Sequence, residues 1–275
     1  MAQPRLTPQD PSLLIHNARH MTQVLDRDVH GTFKVQRSDH ACFNGAEHPR
    51  VQQMLEVAGF IGPYKAWWTR LDHALVTALV ERWRAETHTF HLTVGEATVT
   101  LQDVGVLWGL PVVGRPIPLL PEWGSAGEAV ERLQTLCGVE NAHTLVLRHH
   151  SRYCISSRAL RELVEGGRAD FPGDPSDLQA EQRARLWILL LLHGHLFSDS
   201  KGTYVQLSWL RLLQDLAQTR QYNWGAGMLA FLYRQLDMCV SGDRSYCLGG
   251  TSLLQVCFFR FNAFYIIGFF MLYYV

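Results

Sequence analysis

Apolar residues along most of this chain recur at spacings of three and four, which is the spacing of one face of an α-helix. Val51, Met54, Leu55 and Ala58 follow this spacing, and Gly59, a common helix stop, comes directly after them. The same pattern predicts further helices over residues 71–84, 125–137, 157–164, 178–197, 205–216 and 228–236. The chain is therefore predicted to be mainly helical.

The predicted helix over 178–197 contains an unusually apolar run, LWILLLL, between Arg185 and His193. A run of seven residues is too short to span a bilayer, which needs about 20. A helix that is apolar on all sides belongs in the interior of a domain. We expect this helix to be the central one.

One segment has the composition of β-strands. Thr87–Val94 and Ala97–Leu101 are rich in Thr, Val and Phe, and the pair Gly95-Glu96 separates them. This arrangement predicts a small β-hairpin over residues 87–101. Because two strands alone are marginally stable, we expect the hairpin to pack against helices.

The hairpin runs directly into helix start and stop signals. Thr100 and Asp103 have the spacing of a capping box, in which a hydroxyl and a carboxylate each accept one backbone N–H. The helix that begins there is predicted to run through Trp108 and to stop at Gly109, with Pro111 two residues later. The predicted fold is a mainly α, multi-helix globular domain with one small β-hairpin.

Three regions follow from the polarity of the chain. Residues 1–50 form a polar N-terminal lead-in, with at most a short helix around Ser12–Leu25. Residues 51–255 carry the helical patterns and form the predicted domain. Residues 256–275 are an apolar C-terminal tail.

The charge balance narrows the function classes. The 275 residues include 25 basic and 25 acidic side chains, so the formal net charge is zero. This balance does not support direct nucleic-acid binding, because a protein that binds phosphates usually carries a basic footprint. The six cysteines are scattered without a disulfide-type framework, which favours a reducing compartment.

The lysine count bears on cofactors. A pyridoxal enzyme needs a lysine for its Schiff base, and the chain has only Lys34, Lys65 and Lys201. The alternating strand and helix pattern of a large α/β cofactor domain is also missing from the sequence. No cofactor is predicted.

Histidines and cysteines are the candidate metal ligands in this sequence. The densest group, Cys137, His143, His149, His150 and Cys154, lacks the short Cys or His arms of a structural zinc site. A second pair, His193 and His195, is two residues apart and so points in directions about 160° apart on a helix. No metal site is predicted.

Catalytic motifs are also missing from the sequence, which has no Gly-x-Ser-x-Gly elbow, P-loop or Gly-x-Gly-x-x-Gly. His88 and His91 lie three residues apart on a predicted strand and so face opposite sides of it. We expect no catalytic residue. A hydrolase or transferase with its site near His88, His91 and Asp103 remains the alternative.

The block over residues 78–117 resembles the plant mobile domain, a family sometimes labelled aminotransferase-like and linked to the Maintenance of Meristems proteins and the long form of plant protein phosphatase 7. The residues that match in order and spacing are Trp83, Arg84, Glu86, Thr87, His88, Thr89, Phe90, His91, Gly95, Glu96, Thr98, Thr100, Leu101, Asp103, Val104, Gly109, Leu110 and Pro111. Residues 184–216 and 222–238 resemble later segments of the family. The resemblance covers residues 51–255.

The resemblance implies a transposon-related helical domain that acts in the nucleus, in meristem maintenance and in the silencing of mobile elements. It also implies protein partners, with a phosphatase 7-like protein as a candidate. No catalytic residue is established for the family, and its aminotransferase label fits the lysine count poorly. We therefore interpret the chain as a non-enzymatic protein-interaction module.

The motif residues divide into two groups. Those expected to determine the fold are Trp83, Phe90, Gly95, Thr100, Asp103, Gly109 and Pro111. Arg84, Glu86 and His88 have no evident folding role, and we hypothesise that they face a partner.

The tail departs from the family pattern after Gln255. Three interpretations stay open: a buried terminal element, a tail anchor over residues 253–275, or a non-native terminus produced by reading through an intron, since Val256-Cys257 can be encoded by a splice-donor sequence. The anchor is borderline in length, because Arg260 is followed by fifteen uncharged residues and a span needs about 20.

Overall fold

The structure, a computed structural model, describes residues 34–35, 47–66, 71–92, 95–198, 203–241 and 246–258. The helix predicted around 12–25 and the tail beyond residue 258 lie outside the described residues. Among those that are described, no helix combines the length and the apolar character that a membrane crossing requires.

The fold is mainly α, as predicted. Its α-helices are α1 (Pro49–Ala58), α2 (Ile61–Ala66), α3 (His73–Arg82), α4 (Leu101–Trp108), α5 (Ala126–Cys137), α6 (Ala142–Leu145), α7 (Ser157–Ala169), α8 (Asp177–Leu191), α9 (Leu216–Thr219) and α10 (Trp224–Val240). A π-helical turn, Leu192–Leu196, extends α8, and Leu207–Leu212 form a 3-10 helix. Residues 251–258 form a further helical segment.

Three small sheets accompany the helices within the described residues. Their strands are β1 (Lys34–Val35), β2 (Trp83–Arg84), β3 (Thr89–Leu92), β4 (Gly95–Ala97), β5 (Leu147–His149), β6 (Arg152–Ser156), β7 (Tyr204–Gln206) and β8 (Tyr246–Cys247). Strands β1 and β8 pair in parallel, whereas β2-β3-β4 and β5-β6-β7 are antiparallel. The predicted hairpin lies in the sheet β2-β3-β4, and the other strands are additional to it.

The predicted hairpin exists, but its strands differ from those predicted. Gly95 and Glu96 are not the turn: they pair with Leu92 and His91 in the ladder between β3 and β4. The second strand ends at Ala97, because Thr100 already caps the next helix. Before the hairpin, α3 ends at Arg82 and the next two residues form β2. The predicted helix over 71–84 therefore extended two residues too far at its C-terminal end.

The sheet β5-β6-β7 was not predicted at all. Its strands are three, five and three residues long, which is too short to show a clear two-residue alternation. The helix predicted over 205–216 was partly wrong, because the chain there is β7 followed by a 3-10 helix. Helix α2 was not predicted, and it forms although its segment contains Gly62 and Pro63, residues that favour loops.

Helix α8 is the central helix, as its apolar run predicted. Every residue from Leu186 to Leu192 is buried, and α8 packs against α1, α5 and α7. Its N-terminus has a capping box, in which Ser176 Oγ accepts from the Gln179 amide and the Gln179 side chain accepts from the Ser176 amide. Burial of an apolar side chain of this size contributes about 1.5–3 kcal/mol, so this run dominates the core.

The capping box at Thr100 is confirmed. Thr100 Oγ1 accepts from the Asp103 amide at 3.3 Å, and Asp103 Oδ2 accepts from the Thr100 amide at 2.8 Å. Gly109 ends the helix in the left-handed region with φ 61°. At the start of α5 only half of a capping box forms: Ser125 Oγ accepts from the Glu128 amide, but the Glu128 carboxylate accepts from the Gly124 amide.

Pro111 and its neighbours join distant parts of the core. The Pro111 carbonyl accepts from the Gly225 amide at 2.9 Å, which connects the end of α4 to the start of α10. Helix α2 crosses α4 so closely that a Cβ at Gly62 would lie 1.7 Å from the Trp108 carbonyl oxygen. These contacts agree with a folding role for the segment from Gly109 to Pro111.

Candidate functional site

The motif block packs one face of its small sheet against α10. The Trp83 ring, which is fully buried, contacts Phe90 at 4.8 Å and Tyr233 at 5.1 Å between ring centroids. Trp83 Nε1 donates a hydrogen bond to Asp237 Oδ1 at 2.8 Å. Trp83 is thus both a packing anchor and a polar tie to α10.

His88 lies at the exposed edge of the same contact. Its Nε2 is 3.3 Å from Asp237 Oδ2, and its ring is 5.4 Å from that of Tyr233. Its φ of 51° is a left-handed conformation that is uncommon for a residue with a side chain. The Asp237 carboxylate therefore contacts the buried indole through one oxygen and the exposed imidazole through the other.

Two hydroxyl groups complete this arrangement. Thr98 Oγ1 donates to the His88 carbonyl at 2.7 Å, and the Tyr233 hydroxyl donates to the Val99 carbonyl at 2.5 Å. Burial raises the pKa of Tyr233; the hydrogen bond with Thr98 Oγ1, 2.9 Å away, lowers it by less, and the Asp103 charge raises it by still less. The phenol therefore stays protonated as a donor near neutral pH. We call Trp83, His88, Thr98, Tyr233 and Asp237 the hairpin cluster.

The opposite face of the sheet is polar. Thr89 Oγ1 donates to Glu96 Oε2 at 2.9 Å, and His91 Nε2 lies 3.5 Å from Glu96 Oε1. Arg84 pairs with Thr89 across β2 and β3, which places it on this face. We call Arg84, Thr89, His91 and Glu96 the polar sheet face.

The three residues that were predicted to face a partner differ in their exposure to solvent. Arg84 is buried, with 6% of its surface exposed, whereas Glu86 is half-buried and His88 is exposed. Of these three, His88 therefore offers the most accessible side chain, and the partner-facing role itself stays a prediction.

The alternative enzyme site does not form a single constellation. His88 contacts Asp237, and His91 contacts Glu96 on the other face of the sheet. Asp103 accepts from Thr100 in the helix cap. Each of the three predicted side chains thus has a different partner.

The candidate metal ligands do not cluster in the part of the chain that the structure describes. No group of three or more His, Cys, Asp or Glu side chains there has an arrangement that could hold a metal ion. His193 and His195 are both buried in the π-helical turn, where the His195 ring stacks on Trp108 at 4.5 Å. Both histidines therefore lie in the last helical turn before Phe197.

An open groove lies beside α7 and α8, and no residue of the hairpin cluster lines it. It has a volume of about 730 Å³ and is bounded by α7, by α8 and by residues 137–141 that join α5 to α6. Leu163, Phe171, Pro172 and Leu186 supply apolar surface, and Glu140 and Glu162 are among its polar lining residues. We call this feature the α7–α8 groove.

Most polar groups in the floor of the groove are bonded to the fold itself. Arg183 donates to both carboxylate oxygens of Glu47 at 2.7 Å and to the Val164 carbonyl at 2.7 Å. Gln182 donates to the Thr135 carbonyl at 3.1 Å. Burial raises the pKa of the Cys137 thiol to about 12, against a smaller lowering by a nearby arginine, so the thiol is not a nucleophile near neutral pH.

Sequence reasoning missed the groove and the α10 side of the hairpin cluster. Tyr233 and Asp237 are spaced by four in α10, although the predicted helix over 228–236 stops before Asp237, so they share a face that projects two polar groups beside buried positions. That spacing is the signal that would have found them. The groove gives no such signal, since its walls come from three separate segments.

A helical domain built around one apolar helix, with a small sheet tied to its last long helix, is the class that the structure defines. Within that class, the model of the plant mobile domain matches residues 59–264, which is most of the chain. The chain belongs to the plant mobile domain family.

Curated relatives from Arabidopsis thaliana agree with this assignment. The chain is 38% identical over 208 residues to Serine/threonine-protein phosphatase 7 long form homolog, which covers 76% of this chain and 15% of that protein. It is 33% identical to Protein MAIN-LIKE 2 (75% and 29%) and 30% identical to Protein MAINTENANCE OF MERISTEMS (74% and 40%). The chain thus spans less than half the length of each of these relatives. No solved structure matches it.

Proposed function

We propose that this chain is a non-enzymatic protein-interaction module that acts in the nucleus, in meristem maintenance and in the silencing of transposable elements. The observation that carries the interaction role is the α7–α8 groove. An open groove with apolar walls and a polar rim suits a segment of another protein, since such segments dock through a few apolar anchors.

The dimensions and lining of the groove support this proposal. Leu163 and Phe171 are half-buried and supply apolar surface that an anchor side chain can cover. Glu140, Asn141 and Glu162 lie among the lining residues and can accept hydrogen bonds from a partner backbone or side chain.

The bonding within the groove favours binding over reaction. A catalytic site needs a nucleophile or a base aimed at open space. In the floor of the groove, Arg183 and Gln182 are bonded to the fold and the Cys137 thiol stays protonated. These groups support a surface that holds a partner and leaves its covalent bonds intact.

The names of the relatives support the biological setting. One relative is named for the maintenance of meristems, and another is named as a phosphatase 7 long form homolog. The second name makes a phosphatase 7-like protein the first partner to test. Function in the nucleus and in silencing follows from the family resemblance and is part of the proposal.

A matched pair of variants tests the groove. Leu163→Arg introduces a charge into its apolar wall, whereas Leu178→Arg makes the same change at a leucine that is 59% exposed and does not line the groove. Binding of a purified phosphatase 7-like protein is measured by calorimetry, alongside capture of partners from nuclear extract. We expect Leu163→Arg to weaken binding by about tenfold or more and Leu178→Arg to leave it unchanged. Equal binding by both variants would contradict the proposal.

A fluorescent fusion tests the location. We expect fusions with and without residues 253–275 to accumulate in the nucleus. If the full chain instead labels membranes and the shorter chain does not, the tail-anchor alternative is correct and the nuclear role is wrong.

A second candidate function is an acid–base enzyme centred on His88. It is favoured by one observation: the left-handed backbone of His88 holds its ring 3.3 Å from Asp237, the arrangement of an oriented general base. His88→Asn is the test, because asparagine tolerates a positive φ. A hydrolytic activity in the purified chain that His88→Asn abolishes would support the enzyme and contradict the non-enzymatic proposal.

A further inference from the structure

The surroundings of Arg84 are unusual for a buried charged side chain. It is 6% exposed, yet within the part of the chain that the structure describes its Nε and Nη1 atoms have no hydrogen-bond partner. It also takes part in none of the salt bridges found there. Burial lowers the pKa of Arg84 from its ordinary value, and the Glu86 charge opposes this lowering only in part.

A guanidinium in this state is unfavourable for folding. Arginine cannot discharge itself as a buried carboxyl or lysine does, and its planar donors are made for paired acceptors. Buried donors in native structures nearly always have partners, so one without a partner requires an explanation. A partner group supplied from outside the chain explains it.

Arg84 lies just beneath the polar sheet face. Strand β2 is the outer strand in the order β2-β3-β4, and its two residues, Trp83 and Arg84, face opposite sides. Trp83 faces α10, so Arg84 belongs to the polar sheet face with Thr89 and Glu96. Thr87 and His88, which follow in the chain, are exposed at its edge.

The charges around Arg84 select the kind of acceptor. Glu86 acts on Arg84 electrostatically, and Glu96 lies on the same face with 54% of its side chain exposed. Both carboxylates repel any anion, and they repel a doubly charged phosphate about twice as strongly as a singly charged carboxylate. A side-chain carboxylate has one charge and two oxygens in the geometry of the arginine fork.

We propose that Arg84 is the receptor for a single aspartate or glutamate side chain of a protein partner, which enters at the polar sheet face and pairs with the guanidinium. This inference rests on the proposed interaction function, because it assigns the partner an acidic contact residue. The contact is separate from the α7–α8 groove, which Arg84 does not line.

Thermal unfolding of the full chain tests the proposal with small probes. N-acetyl-glutamate α-amide carries one side-chain carboxylate, and N-acetyl-glutamine α-amide is its uncharged match. At about ten times its Kd, we expect the glutamate probe to raise the Tm by roughly 3–5 °C, whereas the glutamine probe leaves it unchanged. If the Tm does not rise even at glutamate-probe concentrations high enough to saturate a weak site, the proposal is overturned.

Variants locate the effect. Arg84→Met should remove the rise, and Arg84→Lys should reduce it because lysine lacks the planar fork. Arg158→Met is the matched control, since Arg158 is an exposed arginine paired with Glu162 and its loss should leave the rise intact. A rise that persists in Arg84→Met overturns the proposal, as does a larger rise with inorganic phosphate than with the glutamate probe.

The groove variant separates the two proposals. Leu163→Arg should retain the full response to the glutamate probe. If Leu163→Arg also keeps normal partner binding while the probe response depends on Arg84, the groove proposal fails and the Arg84 proposal stands. If the probe has no effect while Leu163→Arg loses the partner, the reverse holds.

Discussion

Two regions of the domain each bury an arginine, and the two arginines differ in their hydrogen bonds. At the α7–α8 groove, Arg183 is 5% exposed and donates to Glu47 and to the Val164 carbonyl, with its guanidinium 5.2 Å from the Phe171 ring centroid. In the hairpin sheet, Arg84 is 6% exposed, and its Nε and Nη1 have no hydrogen-bond partner among the described residues.

Burial alone therefore does not reveal what a charged side chain does. Arg183 closes an internal network that joins the segment before α1 to α7 and α8, so its charge is used by the fold. Arg84 bears a similar loss of hydration without an internal acceptor. We interpret the first as structural and the second as a group kept for a partner.

Removing each arginine should have opposite effects, and this is the largest expected difference. Arg183→Met leaves the Glu47 carboxylate, whose side chain is 1% exposed, without its main partner and should lower the free energy of unfolding by about 3–5 kcal/mol. Arg84→Met removes an unpaired buried charge and should leave stability unchanged or raise it by about 1–2 kcal/mol. Urea unfolding measures both, and equal losses would show that Arg84 is structural too.

The Glu47 network should also make stability depend on pH. Burial raises the pKa of Glu47, but hydrogen bonds and charge from Arg183, and then from Arg168, outweigh it, so the pKa lies below the ordinary 4.5. A carboxyl with a depressed folded pKa contributes stability above its unfolded pKa and loses it as pH falls through the folded pKa.

We therefore expect stability to decline as pH falls below about 4.5, and Glu47→Gln to flatten that part of the curve. Urea unfolding across this pH range measures the effect. Arg84→Met should keep the slope of the unmodified chain, and an equal slope in Glu47→Gln would contradict the assigned role of Glu47.

Two adjacent glycines in α7 sharpen the comparison further. A Cβ at Gly166 would meet nothing within 4 Å, whereas one at Gly167 would lie 2.8 Å from Arg183 Nη1. Gly166→Ala should raise stability by about 0.5–1 kcal/mol, since alanine is the better helix former. Gly167→Ala should lose that gain and destabilise by roughly 1 kcal/mol, because Arg183 is held by Glu47. Thermal unfolding distinguishes them, and equal gains would mean that Arg183 moves freely.

The smallest effect is expected for Asp237→Asn in the hairpin cluster. Asp237→Asn keeps an oxygen acceptor for Trp83 Nε1 and removes the charge that faces the half-exposed His88. We expect a loss of about 0.5 kcal/mol or less in urea unfolding. Asp237→Ala, which leaves the buried indole N–H unpaired, should lose about 1–3 kcal/mol. If the two variants are equally destabilised, the charge and not the indole bond is what matters.

The sequence features that act locally were predictable. The cap at Thr100 and the stop at Gly109 depend on residues within one helix, and the burial of the run from Leu186 to Leu192 follows from its composition. The hairpin was predicted, but its strands were predicted at the wrong positions. The sequence indicates a turn at Gly95, whereas Gly95 begins a strand with φ 133°.

The contacts that define the candidate sites were not predictable in this way. Glu47 and Arg183 are 136 residues apart, and His88 and Asp237 are 149 apart, so no local pattern joins them. Arg84 was singled out as a polar residue without a folding role, but its burial and its missing partners depend on the packed sheet. Short strands such as β5 and β7 form through pairing between segments and leave little trace in composition.

The most direct test observes the two guanidinium groups in one spectrum. The arginine Nε–H signals of the full chain are recorded by proton–nitrogen correlation, and those of Arg84 and Arg183 are assigned by their absence from Arg84→Met and Arg183→Met. We predict that N-acetyl-glutamate α-amide shifts the Arg84 signal progressively to saturation and leaves the Arg183 signal in place. An Arg84 signal that does not move, or that moves equally with N-acetyl-glutamine α-amide, would contradict the claim that Arg84 is kept for a partner carboxylate.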